Sequence, residues 1–190
     1  SAASDVYKRQ KKISQIREGS LIDMLAPLGH GFTINENFKK VVLIGGGIGN
    51  PPMLPLAEIY GERATVISGF RSAEAVILQN DFRKTGAETV LCTDDGSTGI
   101  KGFVTEPLKE ILEKENADAV YACGPMPMLK NIAAIAGDKN VYCEVSLEER
   151  MGCGIGACLV CACKTKKDGE EHFAHVCKNG PVFNAKEVIW

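Results

Sequence analysis

Val41-Val42-Leu43-Ile44-Gly45-Gly46-Gly47-Ile48-Gly49-Asn50-Pro51-Pro52 carries four consecutive apolar residues into a glycine cluster and then two prolines. An unbroken apolar run, in place of an alternating one, is what a strand buried on both faces requires. Glycine lets the chain turn sharply at the strand's end, and proline is tolerated in a first helical turn, where no backbone donor is needed. The stretch predicts a strand, a tight loop and a helix reaching about Tyr60, closed by Gly61. In a parallel sheet a loop so placed turns backbone N–H groups and a helix N-terminus toward a phosphate. Gly45, Gly46, Gly47, Gly49 and Pro51 are therefore candidate dinucleotide contacts. The loop does not complete G-x-G-x-x-G, so a plain strand–helix turn stays open as the alternative.

Outward from this stretch, Ala64 to Phe70, Glu88 to Thr93, Ala119 to Cys123 and Val141 to Val145 repeat the apolar strand pattern. Between them Ser72 to Leu78, Val104 to Glu115 and Met126 to Ala136 read as helices; in the second, Leu108, Ile111 and Leu112 recur at spacings of three and four. Five strands with four crossovers predict an α/β fold whose parallel, doubly wound sheet spans 39–148 with both faces covered. Two more loops fall at strand ends, where ligands of such sheets gather: Gly69-Phe70-Arg71-Ser72 and Cys123-Gly124-Pro125-Met126. Arg71, Cys123, Gly124, Pro125 and Met126 join the candidate site. An arginine there can hold a 2′-phosphate, and the acid expected for ribose hydroxyls is absent from that position. Asp94 and Asp95, after the third strand, read as a solvated turn. Cys123 either lies beside a nicotinamide ring or fills space under its turn. No catalytic acid or base is identifiable, and His30, His172 and His175 form no arrangement with a nucleophile.

The residues 149–190 have another character, dominated by glycine and cysteine. Cys153, Cys158 and Cys161 are separated by four and two residues, and Cys177 follows after fifteen more. This is the spacing of plant-type 2Fe-2S proteins. Thiolates are soft anionic donors suited to iron and bridging sulfide, and Gly152, Gly154 and Gly156 permit a loop that wraps a cluster with its N–H groups toward sulfur. A four-cysteine zinc site is the alternative, but it prefers two short-spaced pairs. Cys163 is a conceivable substitute ligand by strand alternation. Cys92 and Cys143 fall inside strands as small buried apolar residues.

The bulk properties restrict the remaining classes. The chain has 190 residues, 45% of them hydrophobic and 24% charged, and a formal charge of −2, which asks for neither nucleic acid nor an anionic membrane surface. No run approaches the roughly 20 apolar residues of a membrane-spanning helix. Residues 1–12 have charged clusters without an apolar segment between them, so they are no secretory signal and read as a non-native or disordered leader. A cytoplasmic protein follows, and there eight cysteines bind metal or carry redox chemistry sooner than they form disulfides. Within 13–38, Leu21-Ile22-Asp23-Met24-Leu25 reads as a half-buried strand before a turn-rich segment, the end of a truncated β domain.

GGGIGNPP, GFRS, TDDGS, YACGPMPML, EVSLEERMGCGIGACLVCACK and CKNGPVFNAKEVIW together resemble the electron-transfer subunit of class 1B dihydroorotate dehydrogenase, over about residues 13 to 190. The resemblance implies a ferredoxin-reductase-like architecture: an FAD-binding β-barrel, an NAD-binding α/β domain and a C-terminal 2Fe-2S module. It implies cluster ligands at Cys153, Cys158, Cys161 and Cys177, and nicotinamide dinucleotide contacts from the glycine loop and the CGPM segment. It also implies an FMN-containing catalytic subunit as partner in a heterotetramer, with electrons passing from dihydroorotate through the cluster and FAD to NAD in pyrimidine biosynthesis. The flavin-gripping barrel motif should lie upstream of Leu21, so this chain is expected to hold its cluster and part of its NAD site while lacking secure flavin binding. A subunit of an NAD(P)-linked ferredoxin or sulfide oxidoreductase is the runner-up, and a zinc-stapled nucleotide-binding module is the reading from another class.

Overall fold

A computed structural model describes residues 11–190. Its centre is β1 (Val41–Gly46), in which all six residues are buried. Around it stand β2 (Ala64–Phe70), β3 (Glu88–Thr93), β5 (Ala119–Cys123) and β6 (Tyr142–Ser146), in the order β3-β2-β1-β5-β6 and all parallel. These are the five expected strands, and the sheet is two strands wider. The two-residue β4 (Ile100–Lys101) extends it parallel beyond β3, and β9 (Val182–Asn184) pairs antiparallel with β6. The strand order reverses between β1 and β5, so a crevice opens above the ends of those two strands.

Helices cover both faces. α1 (Met53–Tyr60) starts after the two prolines, which sit in the preceding turn, and buries Met53, Leu56, Ala57 and Tyr60 against β1 and β5. α3 (Thr105–Lys114) buries Leu108 and Leu112, and α4 (Met126–Asp138) buries Leu129, Ile132 and Ala136, both on the opposite face. The helix expected from Ser72 to Leu78 is not there. Ala73–Ala75 make a single 3-10 turn, Leu78 takes a left-handed φ of 61°, and α2 (Gln79–Lys84) begins only after it. The β-branched pair Val76-Ile77 favours the extended backbone that interrupts the helix.

Leu21–Leu25 form no strand. Leu21, Ile22, Met24 and Leu25 are exposed, and no strand among the described residues runs beside them. Without a neighbour to take its N–H and C=O groups an extended segment has little to hold it. The chain joins the fold further on, where His30 N–H donates to the Gly180 carbonyl at 2.6 Å and Thr33 meets β6.

Beyond Glu148 the chain builds a cysteine-rich loop and a hairpin of β7 (Ala162–Lys167) and β8 (Glu170–His175). The hairpin turns at Asp168-Gly169, where φ is 52° and 90°. A one-turn helix, α5 (Val176–Asn179), follows and leads into β9, so regular structure continues past the point where helical periodicity fades in the sequence. Through β9 this segment belongs to the main sheet.

Candidate functional site

A cavity of about 830 Å³ lies at the β1/β5 crevice. Gly46, Gly47 and Gly49 form one side, Arg71 lies at the end of β2, and Cys123, Gly124 and Pro125 lie at the end of β5. The two loops meet backbone to backbone. A Cβ at Gly49 would overlap the Cys123 carbonyl, and one at Gly46 would come within 2.6 Å of Met128 Sδ. Gly47, with φ 54°, takes the left-handed turn that leads toward α1. Glycine thus keeps the loop low enough to leave the crevice open. Of the other candidates, Gly45 stays inside β1, where a Cβ would meet Asn50 Oδ1 at 2.5 Å. Pro51 lies in the turn away from the cavity, and Met126 points to solvent from the start of α4, so Pro127 and Met128 line it instead.

Sequence reasoning missed several lining residues. Ser146 stands beside Cys123 in the β5–β6 register, with Glu148 just beyond it. Burial pushes the Cys123 thiol up; a Ser146 hydrogen bond works against this and the Glu148 carboxylate adds to it, so the sulfur is a neutral thiol. Phe103 and Asp94 line the cavity on the β3 side. Strand-end placement was the available signal for Asp94, whereas nothing in the local pattern marks Phe103.

The loop that holds Cys153, Cys158 and Cys161 forms the neighbouring structure. Met151 at its start and Val176 beside Cys177 both line the β1/β5 cavity, so the two candidate sites share a wall. Gly154 and Gly156 have φ of 76° and 82° and turn the loop so that Ala157 N–H donates to Cys153 Sγ at 3.2 Å. That bond and one from Ile155 N–H bring the Cys153 thiol down to about 6. Cys161 and Cys177 are buried, Cys153 is half-buried and Cys158 is exposed. The four thiols influence one another: Cys158 helps to lower the Cys153 thiol, and Cys161, with a smaller contribution from Cys153, pushes the Cys177 thiol up. No group of three or more Cys, His, Asp or Glu among the described residues gathers around one point tightly enough for a single metal ion. Three cysteines in one loop and a fourth on α5 suit a two-iron cluster, in which four cysteines divide between two metals, better than tetrahedral zinc, which prefers two short-spaced pairs. Cys163 sits in β7 packed on the core, and burial pushes its thiol up.

The family model for the iron-sulfur cluster binding domain of dihydroorotate dehydrogenase B matches residues 148–189. The electron transfer subunit of dihydroorotate dehydrogenase B (NAD(+)) from Caldanaerobacter subterraneus subsp. tengcongensis is 43% identical over 181 residues, covering 95% of this chain and 71% of the relative. Among solved structures, the NADH-dependent reduced ferredoxin-NADP oxidoreductase is similar with a TM-score of 0.78 and 31% identity, over 95% of this chain and 64% of that one. The flavohem-like FAD/NAD binding domain of nitric oxide dioxygenase from Vibrio cholerae shares the fold with a TM-score of 0.52 at 24% identity, over 63% of this chain and 56% of that one.

Proposed function

The chain belongs to the family of dihydroorotate dehydrogenase B electron transfer subunits, and we propose that it relays electrons between a 2Fe-2S cluster on Cys153, Cys158, Cys161 and Cys177 and a nicotinamide dinucleotide in the adjoining cavity. The observation that carries this reading is the shared wall: residues flanking the cysteine loop also line the cavity. When bound, the cluster would supply one-electron transfer and NAD a two-electron hydride acceptor, with FAD the proposed third cofactor that would link the two kinds of transfer.

The chain's own residues have definite tasks. Gly46, Gly47 and Gly49 admit the pyrophosphate to backbone N–H groups ahead of α1, whose first turn bears no acid to repel it. Cys123, as a neutral thiol beside Ser146, gives the nicotinamide end an uncharged floor. Ala157 N–H and Ile155 N–H favour the anionic form of Cys153 before any metal arrives. We divide the chain into 13–38 as the end of a flavin domain, 39–148 as the NAD-binding domain and 149–190 as the cluster module. The partner is an FMN-containing catalytic subunit in a heterotetramer, and the setting is the cytoplasm. Among the described residues no helix is long and apolar enough to cross a membrane.

Anaerobic purification followed by low-temperature EPR tests the cluster. One paramagnetic centre per chain is expected on reduction; it is lost in Cys161→Ser and Cys177→Ser and kept in Cys163→Ser. A stoichiometric zinc content with no EPR signal would overturn the assignment. Co-purification with an FMN-containing dihydroorotate dehydrogenase tests the partner.

A further inference from the structure

β1 and β5 stay paired as far as Gly45 and Cys123, and one residue later Gly46 and Gly124 part, the first leading toward α1 and the second toward α4. These two helices pack against opposite faces of the sheet, so the crevice opens at this fork. The backbones are still close there: a Cβ on Gly124 would come within 3.1 Å of Gly46 Cα. Gly46 has a φ of −107°, which any residue can adopt, so its missing side chain is a matter of space and not of backbone angle. The space belongs to Met128.

Met128 lies in the first turn of α4, and a long side chain on a helix leans back toward the helix N-terminus. That direction carries it to the fork. A Cβ on Gly46 would come within 2.6 Å of Met128 Sδ and 3.0 Å of its Cε, and a Cβ on Gly124 would overlap the same Cε. One thioether thus lies against both glycines, and it also lines the cavity. Its neighbours on α4, Leu129 and Ile132, are wholly buried in the core, whereas Met128 is half-buried at the core's edge. An unbranched side chain with three rotatable bonds can follow the irregular gap between two backbones. Gly46 and Gly124 have no side chains to hold themselves apart, so their spacing is left to what is wedged against them.

Resting on the dinucleotide reading of the cavity and deepening it, we propose that Met128 is a positioning residue of that site: its thioether, wedged against Gly46 and Gly124, sets the spacing between the loop that takes the pyrophosphate and the turn that carries Cys123. The two loops bind different parts of one rigid ligand, so a change in their separation is felt at both ends even where each loop keeps its own shape. Met128 acts through the two glycines, from the side of α4, and the rest of its surface closes the cavity wall between them.

Calorimetric titration of the cluster-loaded chain with NADH tests this without turnover, far-UV dichroism showing that each variant is folded. Met128→Ala removes the wedge and should weaken NADH binding at least about tenfold. Met128→Leu, of similar volume, should bring the affinity back to within about threefold of the parent. Gly46→Ala sets a methyl group into the space of Sδ and should also lose at least about tenfold. The double variant Gly46→Ala/Met128→Ala gives that methyl group room, and should bind NADH at least about threefold more tightly than Gly46→Ala alone. A side chain that contributed only to stability would make the two losses accumulate instead. Parent-like affinity in Met128→Ala, or a double variant no tighter than Gly46→Ala, overturns the role of Met128 and leaves the dinucleotide site standing. Failure of the parent chain to bind NADH overturns the dinucleotide reading itself.

Discussion

Glu144→Ala should cost the fold about 3 to 4 kcal/mol, and the figure follows from three hydrogen bonds. Glu144 is 6% exposed in the middle of β6. It accepts the Thr33 N–H at 2.8 Å, the Thr33 hydroxyl at 2.6 Å and the Tyr142 hydroxyl at 2.6 Å. A hydrogen bond to a charged group contributes roughly 1.5 to 3 kcal/mol, so three set a ceiling near 9. Thr33 is itself exposed, and its two donors regain water once the carboxylate is gone, which brings the expectation down to the lower figure. Glu144→Gln preserves volume and can set its Oε1 toward the Thr33 N–H and its amide N–H groups toward the two hydroxyls, so it loses chiefly the charge and should cost about 1 kcal/mol. A domain of this size has about 5 to 15 kcal/mol in hand, so both variants fold. Urea unfolding followed by circular dichroism, at equal cluster occupancy, reads the cost. Hydrogen exchange at the Thr33 and Asn35 amides reads the cause, because Tyr121 donates to the Thr33 carbonyl at 2.6 Å and Asn35 N–H donates to the Tyr60 hydroxyl at 3.1 Å. A loss under about 1 kcal/mol, or protection at both amides unchanged in Glu144→Ala, would refute the claim that this carboxylate fastens segment 33–35 to the sheet.

Gly49→Ala should weaken NADH binding at least about tenfold while far-UV dichroism is retained, because its Cβ would overlap the Cys123 carbonyl and push the glycine loop away from the CGP turn. Fluorescence titration checks this, and parent-like affinity would show that the loops do not need their close approach. In the metal-free chain at pH 7, Cys153, with its thiol near 6, is above its pKa and mostly thiolate, whereas burial holds Cys92 at about 11 and Cys143 at about 12 as thiols. Iodoacetamide should label Cys153 first and leave the other two unmodified in the folded state. Mass spectrometry reads the order, and equal labelling of Cys143 and Cys153 would contradict it.

How much of this was legible depends on which physical signal each residue carries. β2, β3 and β5 have the same bounds in sequence and structure: β2 and β5, buried on both faces, announce themselves as apolar runs, and the half-buried β3 does so through its β-branched and apolar residues Thr89 to Cys92. The amphipathic α3 and α4 were equally plain. β4 has two residues, both exposed, and β9 only three, so neither holds enough apolar residues to show a pattern; each exists because a longer neighbour offers an open edge. Leu21–Leu25 shows the converse, a strand-like composition with nothing to pair against. The cysteine spacing was readable because sulfur chemistry fixes both residue type and interval. Glu144 was not, since an isolated carboxylate in an apolar strand reveals its partners only when Thr33, 111 residues earlier in the chain, is brought to it.

The position of the proposed cluster ligands relative to the cavity is a property of the folded sheet. Cys161, Val176, Cys177 and Phe183 belong to the same buried cluster as Leu129 of α4 and Val145 of β6. The backbone repeats this connection on both sides of β9, with Leu147 N–H donating to the Pro181 carbonyl and Ala185 N–H to the Cys143 carbonyl, both at 2.8 Å. Val176 N–H donates to the Cys161 carbonyl at 3.0 Å, which ties α5, carrying Cys177, to the end of the loop. Two of the four thiols are therefore placed by hydrophobic packing and main-chain bonds that need no metal, while Cys153 and Cys158 sit on the outer, more exposed part of the loop. A site half built by the core lowers the ordering that metal binding must supply. It also ties the cysteine loop to the Cys123 end of the cavity, since Val145 and Ser146, which pair with Ala122 and Cys123, lie on the strand that β9 clasps. Loss of the β6–β9 pairing would thus disturb the proposed cluster and dinucleotide sites together, because both are anchored to one core.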